Sequence, residues 1–437
     1  MSPAQINVCD YFSDAEIEQM ARASGFVERS SPISGFKLLM TFSVGALAVP
    51  DGTLSQFAAY LWSSFGVRAS PQAVHERIDA SSAEFMRLCL AKAIAISLRP
   101  LPLKRSLVES FSHIYIIDST NFQLAPALAK TFKGAGGASS PAAMRVQLVV
   151  DYITGILHIE LGDATLNDAP TLERIVASGI LPRDGACLFL QDLGYFKTAT
   201  FGMIASTESQ YFLSKPRASA TLRSRDGEII ELERVLRDGL DIPVWLGSSQ
   251  LRLLARRLPD DVAEARIRKA EEAARRKRRG PVSSSYRRIL HFAVFLTNLP
   301  QEFDMERLHT LYRIRWQIEL VFKSWKSILK VHKIRSSRPE RVLCEVCGKL
   351  VVAALASMAC SLAEAILDGQ IVSSYKAFKH LRVFAGKWSQ TIIASAQDHT
   401  EFLSSLAAEI ARLCKKSSRG KTPTLETRLR NARLKCS

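Results

Sequence analysis

The segment YRIRWQIELVFKSWK (312–326) sets a tyrosine, an arginine, a glutamate and a lysine at intervals of three, four and seven residues. Wound as one helix at about 100° per residue, Tyr312, Arg315, Glu319 and Lys326 fall within about 60° of one another, in a stripe about 21 Å long. Leu311, Ile314, Ile318, Val321, Trp325 and Ile328 gather on the opposite side as a broad apolar face that must turn to a core, while Trp316, Leu320 and Phe322 flank the polar stripe. A surface helix with its charges on the wet side is the bland reading. Against it, a carboxylate among cations on a mostly buried helix has to be paired or ligated, because an unpaired buried charge is costly.

Two further carboxylates can be offered to that helix. Asp118 follows HIYII and precedes Ser119-Thr120; Asp192 follows ACLFLQ and precedes Leu193-Gly194-Tyr195-Phe196. Both are expected where a strand gives way to a turn, and either one alone reads as a turn cap. With Glu319 they make three oxygen donors able to converge. That is the donor set two hard divalent cations need, and Mg²⁺ suits octahedral oxygen sites that also take up substrate phosphate.

Positioning these residues requires a sheet. HIYIID (113–118) reads as a strand, MRVQLVVDYITGILHIEL (144–161) as a strand, a turn at Thr154-Gly155 and a strand, Ala169–Ala177 as a helix, and ACLFLQD (186–192) as a strand covered on both faces. This β-β-β-α-β order is α/β. Residues 215–290 break the rhythm, with short strands expected around Ala220–Arg223, Ile229–Leu232 and Val244–Leu246. A helix then ends in Arg275-Arg276-Lys277-Arg278-Arg279. The rhythm resumes at HFAVFLTNLP (291–300) and a long helix, and beyond Pro339 the chain is helical to about Leu413. The first hundred residues are helical too: Ser13 with Glu16 forms a capping box, and Ser70-Pro71 opens another helix. Residues 53–78 pair two helices, either as a plain hairpin or as a helix-turn-helix DNA reader presenting Gln72, His75 and Arg77.

At this point the chain resembles a known family. Tyr312-x2-Arg315-x3-Glu319-x6-Lys326 matches the Y-x2-R-x3-E-x6-K signature of bacterial insertion-sequence DDE transposases of the IS-four type, and IIDST (116–120) and QDLGYF (191–196) resemble that family's two aspartate motifs. The resemblance covers about residues 113–360. It implies a ribonuclease-H-like mixed-sheet core with a β-rich insertion, flanked by helical regions. The corresponding division is 1–105 for DNA-end binding, 106–214 and 291–365 for the core, 215–290 for the insertion, and 366–437 for a C-terminal helical region and basic tail. It also implies that Asp118, Asp192 and Glu319 hold two Mg²⁺ (Mn²⁺ able to substitute), that Tyr312, Arg315 and Lys326 position DNA phosphates, and that two copies pair on the terminal inverted repeats and target DNA. Related enzymes stack a flipped base on a tryptophan in the insertion's last strand. HFAVFLTN has none; Phe292 and Phe295 stand there, and Trp245 lies elsewhere.

Composition agrees with a polyanionic partner. The 437 residues carry a net charge of +17 with 47% apolar residues, so the chain is globular and basic, and nucleic acid ranks ahead of membrane. Residues 251–290 alone hold 13 basic against 5 acidic residues, and the run Arg275–Arg279 is read as a phosphate contact rather than a solvated helix end. The apolar stretch Leu350–Leu367 contains Glu364 and suits a buried helix better than a membrane span. Eight scattered cysteines, Cys344-x2-Cys347 included, read as buried thiols of a cytoplasmic protein at the nucleoid, and Asp151, Asp163 and Asp168 as turn or cap residues. Besides a cut-and-paste transposase, two readings stand: a catalytically silent transposase-derived DNA-binding protein or repressor, and a metal nuclease that cuts without joining.

Overall fold

The computed structural model describes residues 13–97, 110–136, 141–166, 168–276, 278, 280–367, 372–394 and 396–415. Helix α1 (Asp14–Ala23) is capped by Ser13, which accepts from the Glu16 amide at 3.3 Å. Helix α2 (Gly35–Met40) passes through a π-helical turn, Thr41–Gly45, into the short α3 (Ala46–Ala48). Helices α4 (Leu54–Phe65), α5 (Pro71–Glu76) and α6 (Ala80–Ser97) follow. The pair α4–α5 forms a helical hairpin with a short second helix, and two of the three side chains considered for DNA reading, Arg77 and His75, are engaged within the protein. Arg77 donates to the carbonyls of Phe26 and Ile33 at 3.2 and 3.3 Å and lies 4.1 Å over the Phe26 ring, while His75 Nε2 is 3.1 Å from Arg338.

One mixed eight-stranded sheet follows, in the order β3-β2-β1-β4-β5-β8-β7-β6. Its elements in chain order are β1 (His113–Gln123), β2 (Ala143–Asp151), β3 (Gly155–Asp163), α7 (Asp168–Ala177), β4 (Cys187–Gln191), α8 (Thr198–Ala205), β5 (Gln210–Ser214), α9 (Leu232–Val235), β6 (Leu240–Leu246), β7 (Ser249–Arg257), α10 (Asp260–Arg276), α11 (Ser284–Leu290) and β8 (Phe292–Thr297). Strands β1, β4 and β5 are parallel neighbours and the other pairings are antiparallel. The unbroken apolar runs in β1 and β4 are buried because both faces are covered. Alternation splits their side chains between two cores: Ile114, Ile116, Leu188 and Leu190 face the N- and C-terminal helices, and Tyr115, Ile117, Cys187 and Phe189 face α7, α8 and the insertion.

Three expectations change. Asp118 does not end a strand: β1 runs on to Gln123, paired with β2 throughout, because the antiparallel partner outlasts the parallel one, whose last pair is Ile117↔Gln191. The segment 215–290 places its strands differently from expected. The stretches around Ala220 and Ile229 make only isolated bridges, Arg223↔Ile229 and Arg223↔Trp245. Residues 249–257, for which no strand had been expected, form β7, whose Leu251 and Leu253 are buried while the arginines between and after them are not; β7 joins β8, so the insertion extends the main sheet. Finally, the long helix after β8 is broken into α12 (Met305–Ile314) and α13 (Trp316–Ser327).

The chain closes with α14 (Pro339–Ile366), α15 (Ser374–Ala394) and α16 (Ala396–Leu413). Helix α14 is long and apolar enough to cross a membrane, with mean hydropathy 1.9 over its best window, yet 72% of that window is buried in the protein. It packs on α6, the π-helical turn and α16. At Gly348 it lies so close that an added Cβ would stand 2.1 Å from the Phe42 carbonyl oxygen. Three of its charged residues are buried and hydrogen-bonded: Arg341 donates to Glu345 at 2.7 Å, and the Lys349 ammonium to the carbonyls of Lys330 and Lys333, both at 3.1 Å. Cys344 and Cys347 are buried in the same helix as free thiols.

Candidate active site

Helix α12 starts on Asp304, which accepts from the Arg307 amide at 2.8 Å. At Arg315 the α-helical ladder gives way to tighter bonds, Arg315 N to Tyr312 O at 3.2 Å and Ile318 N to Arg315 O at 3.3 Å. The stripe is therefore not one straight helix. All four of its side chains still face the strand ends. Tyr312 donates its hydroxyl to the carbonyl of Gln191, the last residue of β4, at 3.2 Å. Arg315 donates to Glu319 Oε1 at 2.9 Å and, through its other terminal nitrogen, to Asp118 Oδ2 at 3.4 Å. Lys326 donates to the carbonyl of Asn121 at 3.2 Å. Of the flanking apolar residues only Phe322 is interior, edge-on to Trp325; Trp316 and Leu320 are 55% and 38% exposed, so the stripe borders solvent on that side.

Asp118 and Asp192 follow the last β1–β4 pair directly, on neighbouring strands. Burial pushes the Asp118 carboxyl up to about 6, against the pull of the Ser119 amide and Arg315, and the charges of Asp192 and Glu319 push it the same way. Asp192 and Glu319 thus both stand within electrostatic range of Asp118. Asp192 opens the turn Leu193–Tyr195 without capping it through its side chain.

Other residues enter that sequence reasoning missed. Asp168, expected to be a cap, accepts from Ser119 Oγ at 2.9 Å and pairs with Arg145 at 3.2 Å. Gln147 in β2 donates to the Asp118 carbonyl at 3.1 Å and to the Tyr195 hydroxyl at 2.7 Å. Lys215, just past β5, lies 5.1 Å from the Tyr312 ring centroid. The only signals for these were a polar residue inside an apolar strand and a lysine directly after one. Asp151 and Asp163 do serve turns, accepting from the amides of Ile153 and Thr165, although Asp151 also pairs with His113 at 2.8 Å. Phe295 is buried against Tyr312 at 5.2 Å and is not free to stack on a base; Phe292 is half-buried. Arg275, Arg276 and Arg278 are exposed and make no bond to the carboxylates, while Lys277 and Arg279 lie outside the described residues.

Among the described residues no three His, Cys, Asp or Glu side chains stand close enough to hold one metal ion. At this site the Arg315 guanidinium bridges Asp118 and Glu319. The donor set nevertheless suits a hard divalent cation: it is all carboxylate oxygen, and a positive group already bridges two of its members.

The site is thus a mixed sheet with one carboxylate in β1, one directly after the neighbouring β4 and a third on a crossing helix. Residues 109–355 match the family described as the transposase DDE domain, and the chain belongs to that family. It is 28% identical to the transposase for insertion sequence element IS1151 of Clostridium perfringens, over 94% of this chain and 93% of that one. It is 25% identical to the transposase for IS231B of Bacillus thuringiensis, over 96% and 93%. These relatives and the signature place it among the insertion-sequence transposases of the IS-four type. A piggyBac transposase synaptic complex with hairpin DNA aligns over 96% of this chain and 86% of that one, at TM-score 0.48 and 12% identity. Membership of the transposase DDE family makes DNA the partner and DNA transposition the function class.

Proposed function

We propose that this chain is a cut-and-paste transposase with a ribonuclease-H-like core, cleaving the terminal inverted repeats of its element and joining them to target DNA. The observation that carries the reading is the row of Asp118 and Asp192 on adjacent strands, with Glu319 tied to Asp118 through one guanidinium. Asp118, Asp192 and Glu319 are the ligands, for two Mg²⁺ or Mn²⁺. Bound there, the cations supply activation of a water or 3′-hydroxyl and stabilisation of the leaving 3′-oxygen.

The protein's own groups do the rest. Arg315 gives up its bridge between the carboxylates and turns its fork to a phosphate, which clears the space for metal and substrate together. Tyr312, held on the Gln191 carbonyl, fixes α12 against Asp192. Lys326 supplies a point charge toward the far end of β1. Residues 1–105 bind the element ends, 106–214 and 291–365 form the core, and 366–437 complete the helical shell. The insertion 215–290 adds its basic run to the phosphate contacts. Two copies pair on DNA, at the nucleoid.

The test incubates the protein with duplexes ending in the element's inverted repeat, with Mg²⁺, Mn²⁺ or EDTA. Metal-dependent release of a 3′-hydroxyl at the repeat boundary, followed by joining to a plasmid, is the expected result. Binding without cleavage under all conditions would instead identify a silent derivative, and cleavage without joining a nuclease.

A further inference from the structure

The parallel ladder extends the row of strand ends beyond the two aspartates. Ile117 pairs with Gln191 across β1–β4, and Leu190 with Leu213 across β4–β5. One register step on from Gln191 and its neighbour Ser214, Asp192 comes level with Lys215. Asp118, Asp192 and Lys215 therefore stand level across three neighbouring strands, Asp118 within β1 and the other two directly after β4 and β5, and the transposition chemistry assigned so far uses only the first two.

Lys215 is an unusual lysine. It is half-buried, and among the described residues its ammonium has no hydrogen-bond or ion-pair partner; its one close contact is the face of Tyr312 at 5.1 Å. Its charge is held below the ordinary lysine value by burial first, then by Arg266 and Arg315, with Asp192 opposing them. Arg266 is itself half-buried and spends one guanidinium nitrogen on the Phe292 carbonyl at 3.0 Å. A cation left without a carboxylate within bonding distance, with two arginines adding to the positive charge around it, lacks an anion. Lys326 bonds the Asn121 carbonyl, three residues beyond Asp118 on β1, whereas Lys215 follows β5, two strands away.

We propose that Lys215 is a direct backbone contact for the cleaved DNA strand, binding the phosphate on the side of the scissile bond opposite the one bound by Lys326. The strand then crosses the sheet ends from β1 over β4 to β5, with the carboxylates beneath its middle and a lysine under each side. This assignment rests on the proposed cleavage activity.

The test pairs protein and phosphate changes. Single methylphosphonates, which remove one backbone charge, are scanned across the cleavage point of the inverted-repeat duplex and cleaved by wild type, Lys215→Met and Lys326→Met. A charge-assisted contact predicts that Lys215→Met slows cleavage by about tenfold to a hundredfold. It also predicts that one particular methylphosphonate slows the wild type equally but adds nothing to the Met variant, and that Lys326→Met shows the same non-additivity at a phosphate across the cleavage point. Lys215→Arg should recover much of the rate. Losses that multiply at every phosphate, or both lysines coupling to phosphates on one side, would overturn the proposal. Thermal melting controls for folding, with Lys215→Gln replacing the Met variant if that one unfolds. A wild type that cleaves no repeat duplex would remove the proposed function and this assignment with it, an outcome distinct from an additive Lys215→Met.

Discussion

Arg315 and Glu319 are joined at 2.9 Å across the break between α12 and α13, by a guanidinium that also touches Asp118. A planar fork can span two carboxylates and later a phosphate; an ammonium in the same place cannot. Lys326, by contrast, makes a single bond to a carbonyl. Lys326→Arg is therefore expected to keep more cleavage activity than Arg315→Lys, both assayed at one fixed salt concentration. Equal losses, or the reverse order, would remove Arg315's role as a geometrically specific clamp.

Asp118→Ala, Asp192→Ala and Glu319→Ala should each abolish metal-dependent cleavage while leaving end binding, measured by gel shift, nearly intact. The ligands go but the basic contacts remain. Residual cleavage by Glu319→Ala would point to Asp168 as the third ligand, since it already touches Ser119 beside Asp118.

Replacing Arg275, Arg276, Lys277, Arg278 and Arg279 by alanine should weaken binding to all DNA sequences alike. If each charge displaces one condensed counterion, the log–log salt slope falls by up to about 4–5. An unchanged slope would return the run to a solvated helix end.

His113 is raised above the ordinary histidine value, chiefly by its bond to the buried Asp151 and further by Asp184. Its contribution to stability is present in full below the unfolded value of about 6.5 and is lost as pH rises through the raised folded value. In melts between pH 6 and 9, the margin of wild type over His113→Gln should shrink as pH rises. A margin that grows with pH would contradict the ion pair.

Glu345→Ala should be more damaging than most core changes. It strands the buried Arg341 and removes the charge facing Lys349, so a loss of about 3–5 kcal/mol is expected in denaturant unfolding. A change under about 1 kcal/mol would mean water reaches the pair.

The legible part of this protein was whatever local pattern determined. The apolar runs at 113 and 187, the hairpin at Thr154-Gly155, the caps at Ser13 and Ser70, and the helices after Pro339 follow from periodicity and end signals. What escaped depended on partners distant in sequence. Asp118 looks like a strand end until β2 is seen to continue beside it. The arginines of β7 hid an alternation that only the neighbouring β8 makes decisive. Arg315 interrupts a helix that its own sequence would continue. Asp168, Gln147 and Lys215 come to the carboxylates solely through sheet register and one crossover, which no single-residue signal encodes.

Helix α14 has a consequence for shortened forms of the gene product. Its apolar surface matches a bilayer-spanning segment in length and hydropathy, and what keeps it from water is largely α6 and the π-helical turn, more than two hundred residues earlier in the chain. A product started internally, carrying the aspartates and glutamate but not the first hundred residues, would uncover the part of that surface on which α6 and the π-helical turn pack. Such a fragment should aggregate or be degraded rather than circulate as a competitor for the full-length protein. This architecture thereby disfavours self-inhibition by amino-terminal truncation.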